Sequence, residues 1–193
     1  SKWITGPAAR ADVQLLRAES SAIMTGIGTI LSDNPRLTVR DLDLLGRIPL
    51  RVIIDRELSM PLDAELFKHP GKIILYTGAA NPDKRKRLED VGAHVVSFEN
   101  KDNFLLSVMQ SLAADYQVNN VLIESGARLA GAMLQEKLID EFMIYQSPIL
   151  LGQNAKSLVE IRDIIEMEDK VPLTLKDIRQ VGDDLRLHYQ VEL

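Results

Sequence analysis

The side chains suited to chemistry in this chain lie at turns and at the ends of apolar runs. Arg17 and Arg40 carry guanidinium forks, which make paired, charge-assisted hydrogen bonds with phosphate. Thr29 and Asp33, four apart, can hold sugar or amide groups. Trp3, the only tryptophan, offers a flat face and one N–H donor for stacking on a ring. Asp55-Arg56 closes one apolar run and Glu124 closes another. After Glu124 come Ser125-Gly126 and then Ala127, Arg128, Leu129, Ala130, Gly131 and Ala132, a glycine turn into a small-residue helix. Such a junction leaves backbone N–H groups free at the helix start, where they and the helix dipole favour a phosphate or pyrophosphate. The spacing is neither G-x-G-x-x-G nor a P-loop, since no Gly-Lys-Ser/Thr follows. Taken singly, each residue has a structural reading as well: Trp3 in the core, Arg17 in a helix-surface ion pair, Asp33 in a turn. Their combination is what points to a ligand.

Other chemistries find little support. His69, His94 and His188 are scattered, with no H-x-x-x-H spacing and no serine in a nucleophile elbow, which argues against metal hydrolysis and triad catalysis. Cysteine is absent, so there is no thiol nucleophile and no disulfide scaffold, as in a cytoplasmic protein. The Lys84–Arg87 run sits between acids in a protein of net charge −5 and reads as a solvated helix face. That negative balance, with a pI near 5.3, attracts neither nucleic acid nor anionic membrane. No apolar run approaches the roughly 18 residues of a membrane span, and no signal peptide is visible.

The elements that must position these residues follow from hydrophobic period. At 193 residues, 46% hydrophobic and 26% charged, the chain is expected to form one domain with a sizeable core. Helices are expected over 8–18, 29–32, 82–91, 103–116 and 127–135. Strands are expected over 22–25, 50–55, 72–77, 93–98 and 121–123, with 37–40 extended. Alternation of this kind predicts a largely parallel sheet built by right-handed crossovers. The last third differs: one long strand over 140–151, then a hairpin of 173–181 and 185–193 around Gly182-Asp-Asp184. These strands are expected to add antiparallel partners at the edge of the parallel sheet.

Four ordered stretches carry a resemblance. S-K-W-I-T-G-P-A-A-R-A-D-V-Q-L-L-R-A, T-G-I-G-T-I-L-S-D-N-P-R-L-T-V-R, I-E-S-G-A-R-L-A-G-A-M-L and S-P-I-L-L-G-Q-N-A-K-S-L closely resemble the reductase half of the RibD family of bifunctional riboflavin-biosynthesis proteins. The likeness runs nearly the whole chain. It implies an α/β, dihydrofolate-reductase-like fold: a mixed, mostly parallel sheet flanked by helices, with an antiparallel C-terminal hairpin. It implies NADPH-dependent reduction of 5-amino-6-(5-phospho-D-ribosylamino)uracil to the ribitylamino product, with hydride delivered to ribose C1′ in its opened form. By matching position, Ser1, Arg17, Leu37, Arg40 and Glu124 would contact substrate. Trp3, Thr29, Asp33 and the turn from Gly126 to Ala132 would contact NADPH, the turn cradling its pyrophosphate. Where family members often carry serine after the V-I-D strand, this chain has Arg56, a basic residue suited to the 2′-phosphate. The resemblance also implies a homodimer, and residues 1–193 as a reductase domain without the family's first strand and its upstream deaminase domain. Two further readings keep the cofactor site but change the role: reduction of a pterin-like carbonyl, for which Arg17 and Arg40 would be superfluous, or a non-catalytic nucleotide-binding or assembly module.

Overall fold

Apolar, β-branched runs bounded by polar turns build the first sheet of the computed structural model, which describes residues 4–98, 102–161 and 165–192. Its strands are β1 (Ala22–Gly26), β2 (Leu50–Ile54), β3 (Ile73–Thr77), β4 (Ala93–Ser97) and β5 (Val121–Ile123). They are all parallel, in the order β4-β3-β2-β1-β5. The helices are α1 (Pro7–Glu19), α2 (Ile27–Asp33), α3 (Pro82–Asp90), α4 (Phe104–Tyr116) and α5 (Ala127–Gln135). Proline at the start of α1 and α3 costs no hydrogen bond there, and Asn81 caps α3 by accepting from the Lys84 N–H.

Strand alternation sends neighbouring residues to opposite faces. Met24, Val52, Ile54, Ile74 and Tyr76 pack on one face with Phe104 and Leu112 of α4 and Met133 and Leu134 of α5. Ile23, Ile53, Ile73 and Leu75 pack on the other with Ile30 of α2 and Leu88 of α3. The central strands are thus buried on both sides, which is why they read as continuous apolar runs. One charge lies among them: Arg51 of β2 is fully buried and caps the carbonyls of Leu66, His69 and Gly71 around a 3₁₀ turn at Glu65–Lys68.

The last third forms a sheet of its own. Strands β6 (Glu141–Gln146), β7 (Leu173–Val181) and β8 (Asp184–Val191) are antiparallel in the order β6-β8-β7. The hairpin expected around Gly182 is present, with Gly182 in the left-handed region at φ 64°. Two expectations are corrected. The strand beginning near 140 ends at Gln146, because Pro148 has no N–H to donate and the Ile149 N–H turns back to the Ser147 carbonyl. The hairpin does not extend the parallel sheet: β8 lies between β6 and β7, while among the described strands the three-residue β5 pairs only with β1. A further correction concerns residues 37–40, expected to be extended: Leu37, at φ 51°, breaks the extended path.

Helix α1 joins the two sheets. The Asn120 side chain, at the entry to β5, accepts from the Ser21 N–H and hydroxyl and donates to the Glu19 carbonyl. At the other end, Gly6 N–H donates to the buried Asp184 carboxylate at 2.7 Å. Between them, Asp12 accepts from the Tyr145 hydroxyl of β6 at 2.6 Å and from Arg186 of β8 at 2.9 Å. Burial alone would push the Asp12 carboxyl up, but these two hydrogen bonds and the charges of Arg186 and Arg179 hold it below its ordinary range.

Candidate functional site

Among the described residues, Thr29 and Asp33 follow the carboxyl end of β1, Arg56 that of β2, and Glu124 and the Gly126–Ala132 turn that of β5. From β1 the chain enters α2 at Gly26, towards the face holding Ile30. From β5 it enters α5 at Gly126, towards the opposite face holding Met133 and Leu134. Adjacent strands whose helices leave to opposite faces open a crevice, the place where open α/β sheets bind ligands.

Both helices start without a side-chain cap. At α5 the first N–H groups after Gly126 therefore face outward with no intrahelical partner, a positive end suited to an anion. A Cβ on Gly126 would meet nothing within 4 Å, so the approach is open. The Ser125 hydroxyl beside it is buried with no hydrogen-bond partner. An open glycine, free N–H groups and an orphaned hydroxyl together fit a pyrophosphate. The start of α2 lies alongside, since a Cβ on Gly26 would stand 3.5 Å from Leu129 of α5. Thr29 and Asp33 are one turn apart on α2 and share a face.

Arg56 follows β2 and Asp55. Its guanidinium lies 4.8 Å over the Phe104 ring of α4, and its carbonyl accepts from the Thr77 hydroxyl and the Gly78 N–H of the next strand. Asp55 itself is fully buried, accepting from the Met60 N–H and the Ser59 hydroxyl. It fixes the turn and leaves Arg56 as the outward member of the pair. Ser1 and Trp3 lie outside the described residues.

Across the crevice, Arg17 of α1 meets Glu124. Nε donates to Oε1 and Nη2 to Oε2, both at 2.6 Å, with the side chains 12% and 25% exposed. This two-pronged geometry is the strongest form of the contact. Arg17 also donates through Nη1 to the Thr38 carbonyl. Its guanidinium is therefore engaged, and it reaches a phosphate only by giving up part of that pairing. Arg40 is exposed, and among the described residues its side chain has no hydrogen bond or ion pair. Leu37 is buried in the core, so its contact with a ligand would run through the backbone.

Three contributors carried no sequence signal. The Thr38 carbonyl is backbone. Ser125 reads as part of the glycine turn. Gln14, three residues before Arg17 on α1, is buried and accepts the Arg40 N–H. Gly131 also has a packing role: a Cβ there would come within 1.9 Å of the Glu160 carbonyl oxygen. The segment around Glu160 lies against α5, with its N–H donating to the Ala127 carbonyl and its carboxylate 3.6 Å from Arg128.

Comparison with known proteins points one way. The RibD C-terminal domain model matches residues 1–187. The chain is 36% identical to the riboflavin biosynthesis protein RibD of Escherichia coli (strain K12), over 97% of this chain and 53% of that protein. It is likewise 36% identical to the 5-amino-6-(5-phosphoribosylamino)uracil reductase of Buchnera aphidicola subsp. Acyrthosiphon pisum (strain APS), over 97% of this chain and 94% of that one. Acinetobacter baumannii RibD superposes with a TM-score of 0.86 at 36% identity, covering 98% of this chain and 52% of that chain. The chain thus spans about half the length of the RibD proteins it matches and nearly all of the separate reductase.

Proposed function

The chain belongs to the RibD C-terminal domain family, and we propose that it reduces 5-amino-6-(5-phospho-D-ribosylamino)uracil to its ribitylamino product with NADPH. One observation carries the reading. The uncapped start of α5 at Gly126 stands beside the Arg17–Glu124 pair, so an anion cradle and a charged polar wall share one crevice. When bound, NADPH supplies a hydride. The first-turn N–H groups of α5 and the Ser125 hydroxyl hold its pyrophosphate, Thr29 and Asp33 take sugar or amide groups, and Trp3 packs on a ring. Arg56, steadied on Phe104, pairs with the 2′-phosphate. Arg40 binds the substrate phosphate. Glu124, oriented by Arg17, accepts hydrogen bonds from ribose hydroxyls or the pyrimidine, with the Leu37 backbone and, by its position in the sequence, Ser1 as further substrate contacts.

The coverage of about half the RibD length supports a longer parent, with a deaminase domain and a further strand upstream. We place the active protein in the cytoplasm as a homodimer; among the described residues no helix is long and apolar enough to cross a membrane. Leu175 and Ile178, both about half exposed on β7, supply apolar surface for a second copy.

The test is turnover followed by loss of NADPH absorbance, with the phosphorylated substrate, its dephosphorylated analogue and a pterin. Turnover confined to the phosphorylated compound is expected. Turnover of the pterin alone would move the substrate class, and NADPH binding without any turnover in the longer parent would favour the assembly role. Arg56→Glu should erase the preference for NADPH over NADH; an unchanged preference removes Arg56 from the cofactor site.

A further inference from the structure

Among the described residues the segment carrying Arg40 has no strand partner, yet its path is fixed from α1. Gln14 and Arg17 are three apart and share one helix face. Gln14 is only 8% exposed, and its Oε1 accepts the Arg40 N–H at 2.9 Å. One turn further on, Arg17 Nη1 donates to the Thr38 carbonyl at 2.8 Å. Two hydrogen bonds from a single helix thus grip residues 38–40. The gripped residues are bracketed by Leu37 at φ 51° and Asp41 at φ 61°. Left-handed backbone is disfavoured at such non-glycine residues and persists where surrounding contacts hold it.

We propose that Gln14 is a positioning residue for substrate: by fixing the Arg40 backbone, it aims an unpaired guanidinium at a phosphate monoester. This rests on the reading of Arg40 given under the proposed function. The chemistry suits glutamine. A buried amide oxygen accepts from a backbone N–H without adding charge beside the Arg17–Glu124 pair. An apolar side chain would leave that N–H unpaired. An arginine on an unanchored segment spends binding energy on ordering itself, and that cost falls on substrate affinity.

The experiment compares wild type, Gln14→Leu, Gln14→Glu and Arg40→Ala, with and without Gln14→Leu. Kd is measured for the phosphorylated substrate, its dephosphorylated analogue and NADPH, and melting is recorded for each variant. Gln14→Leu should weaken the phosphorylated substrate about tenfold, the range of one hydrogen bond, with NADPH affinity within about twofold. Gln14→Glu, which keeps an acceptor but adds a charge beside the Arg17–Glu124 pair, should recover part of the loss. In the Arg40→Ala background Gln14→Leu should add nothing, because the two act through one contact. Equal affinity of Gln14→Leu and wild type overturns the proposal. So does an additive loss in the Arg40→Ala background. Should Gln14→Leu fail to fold, Gln14→Asn, which draws the amide back by one methylene, carries the test; wild-type affinity there overturns the proposal. If wild type binds the phosphorylated and dephosphorylated compounds equally, the reading of Arg40 itself fails. If wild type discriminates but Gln14→Leu does too, only the role of Gln14 fails.

Discussion

Arg17 and Glu124 are 107 residues apart, and each is legible in the sequence on separate grounds: one as a guanidinium on a helix face, the other as an acid closing a strand. That they hold each other depends on α1 lying across the end of β5, which no local pattern records. The pairing changes the chemistry of both. A carboxylate with both oxygens on one guanidinium is fixed in orientation, and the guanidinium is no longer free for a phosphate. Glu124→Gln tests the pair. It leaves one oxygen to accept and turns an amide N–H₂ towards the cation, so the paired charge is lost inside a mostly buried contact. Unfolding in urea should show a loss of about 1.5–3 kcal/mol, the range for a hydrogen bond to a charged group, and substrate affinity should fall with it. Stability equal to wild type would mean that the pair is open in solution. Gln14 marks the limit of reading at this scale, since a neutral side chain inside an amphipathic helix carries no sign of the amide it meets.

Helices and strands of the first sheet were legible because local periods fix them: apolar β-branched runs for β2 and β3, proline starts for α1 and α3. Pairing between distant strands has no such local signature, so the separate three-stranded sheet was not. The small residues of α5 show the same division. Gly126 and Gly131 look alike in sequence, yet the first opens onto the crevice and the second lies under the Glu160 backbone. Gly131→Ala must move that backbone. It should cost about 1–3 kcal/mol, as overpacking does, and speed hydrogen exchange at the Glu160 amide. Unchanged stability would show the segment free to lift. Where α1 meets the second sheet, Asp12 supplies a pH-dependent tie. Its folded pKa is depressed, so its contribution is present above the unfolded value and lost as pH falls through the folded one. Asp12→Asn should therefore be less stable by about 1–3 kcal/mol at pH 7. The gap should begin to narrow as pH falls below about 4, the ordinary carboxylate range, and close only once the pH is below the depressed folded value, where the wild-type carboxyl is neutral as well. A gap of constant size across that range would remove the charge from the account.

At the scale of the whole molecule, the two sheets present open edges. Among the described strands β5 bonds only to β1, and β6 only to β8. Parallel pairing commits alternate residues to each side. The Glu124 N–H donates to the Met24 carbonyl and the Asn120 carbonyl accepts the Ala22 N–H, so Leu122 also faces β1, while Val121 and Ile123 point to the other edge. Their side chains are half-buried, but their backbone groups have no partner among the described residues. An edge of this kind beside a ligand crevice is a place for another strand, and the proposed longer parent supplies one. Hydrogen exchange separates the possibilities. In this chain the amides of Val121 and Ile123 should exchange quickly while Leu122 and the β2 amides stay protected. Extending the chain upstream should slow Val121 and Ile123 by tenfold or more, as each gains a bond worth about 1 kcal/mol within a cooperative sheet. NADPH affinity should rise in the same step, because the start of α5 hangs from that strand. Slow exchange at Val121 and Ile123 in the chain as it stands would mean that the edge is already covered. The crevice would then owe nothing to residues beyond it.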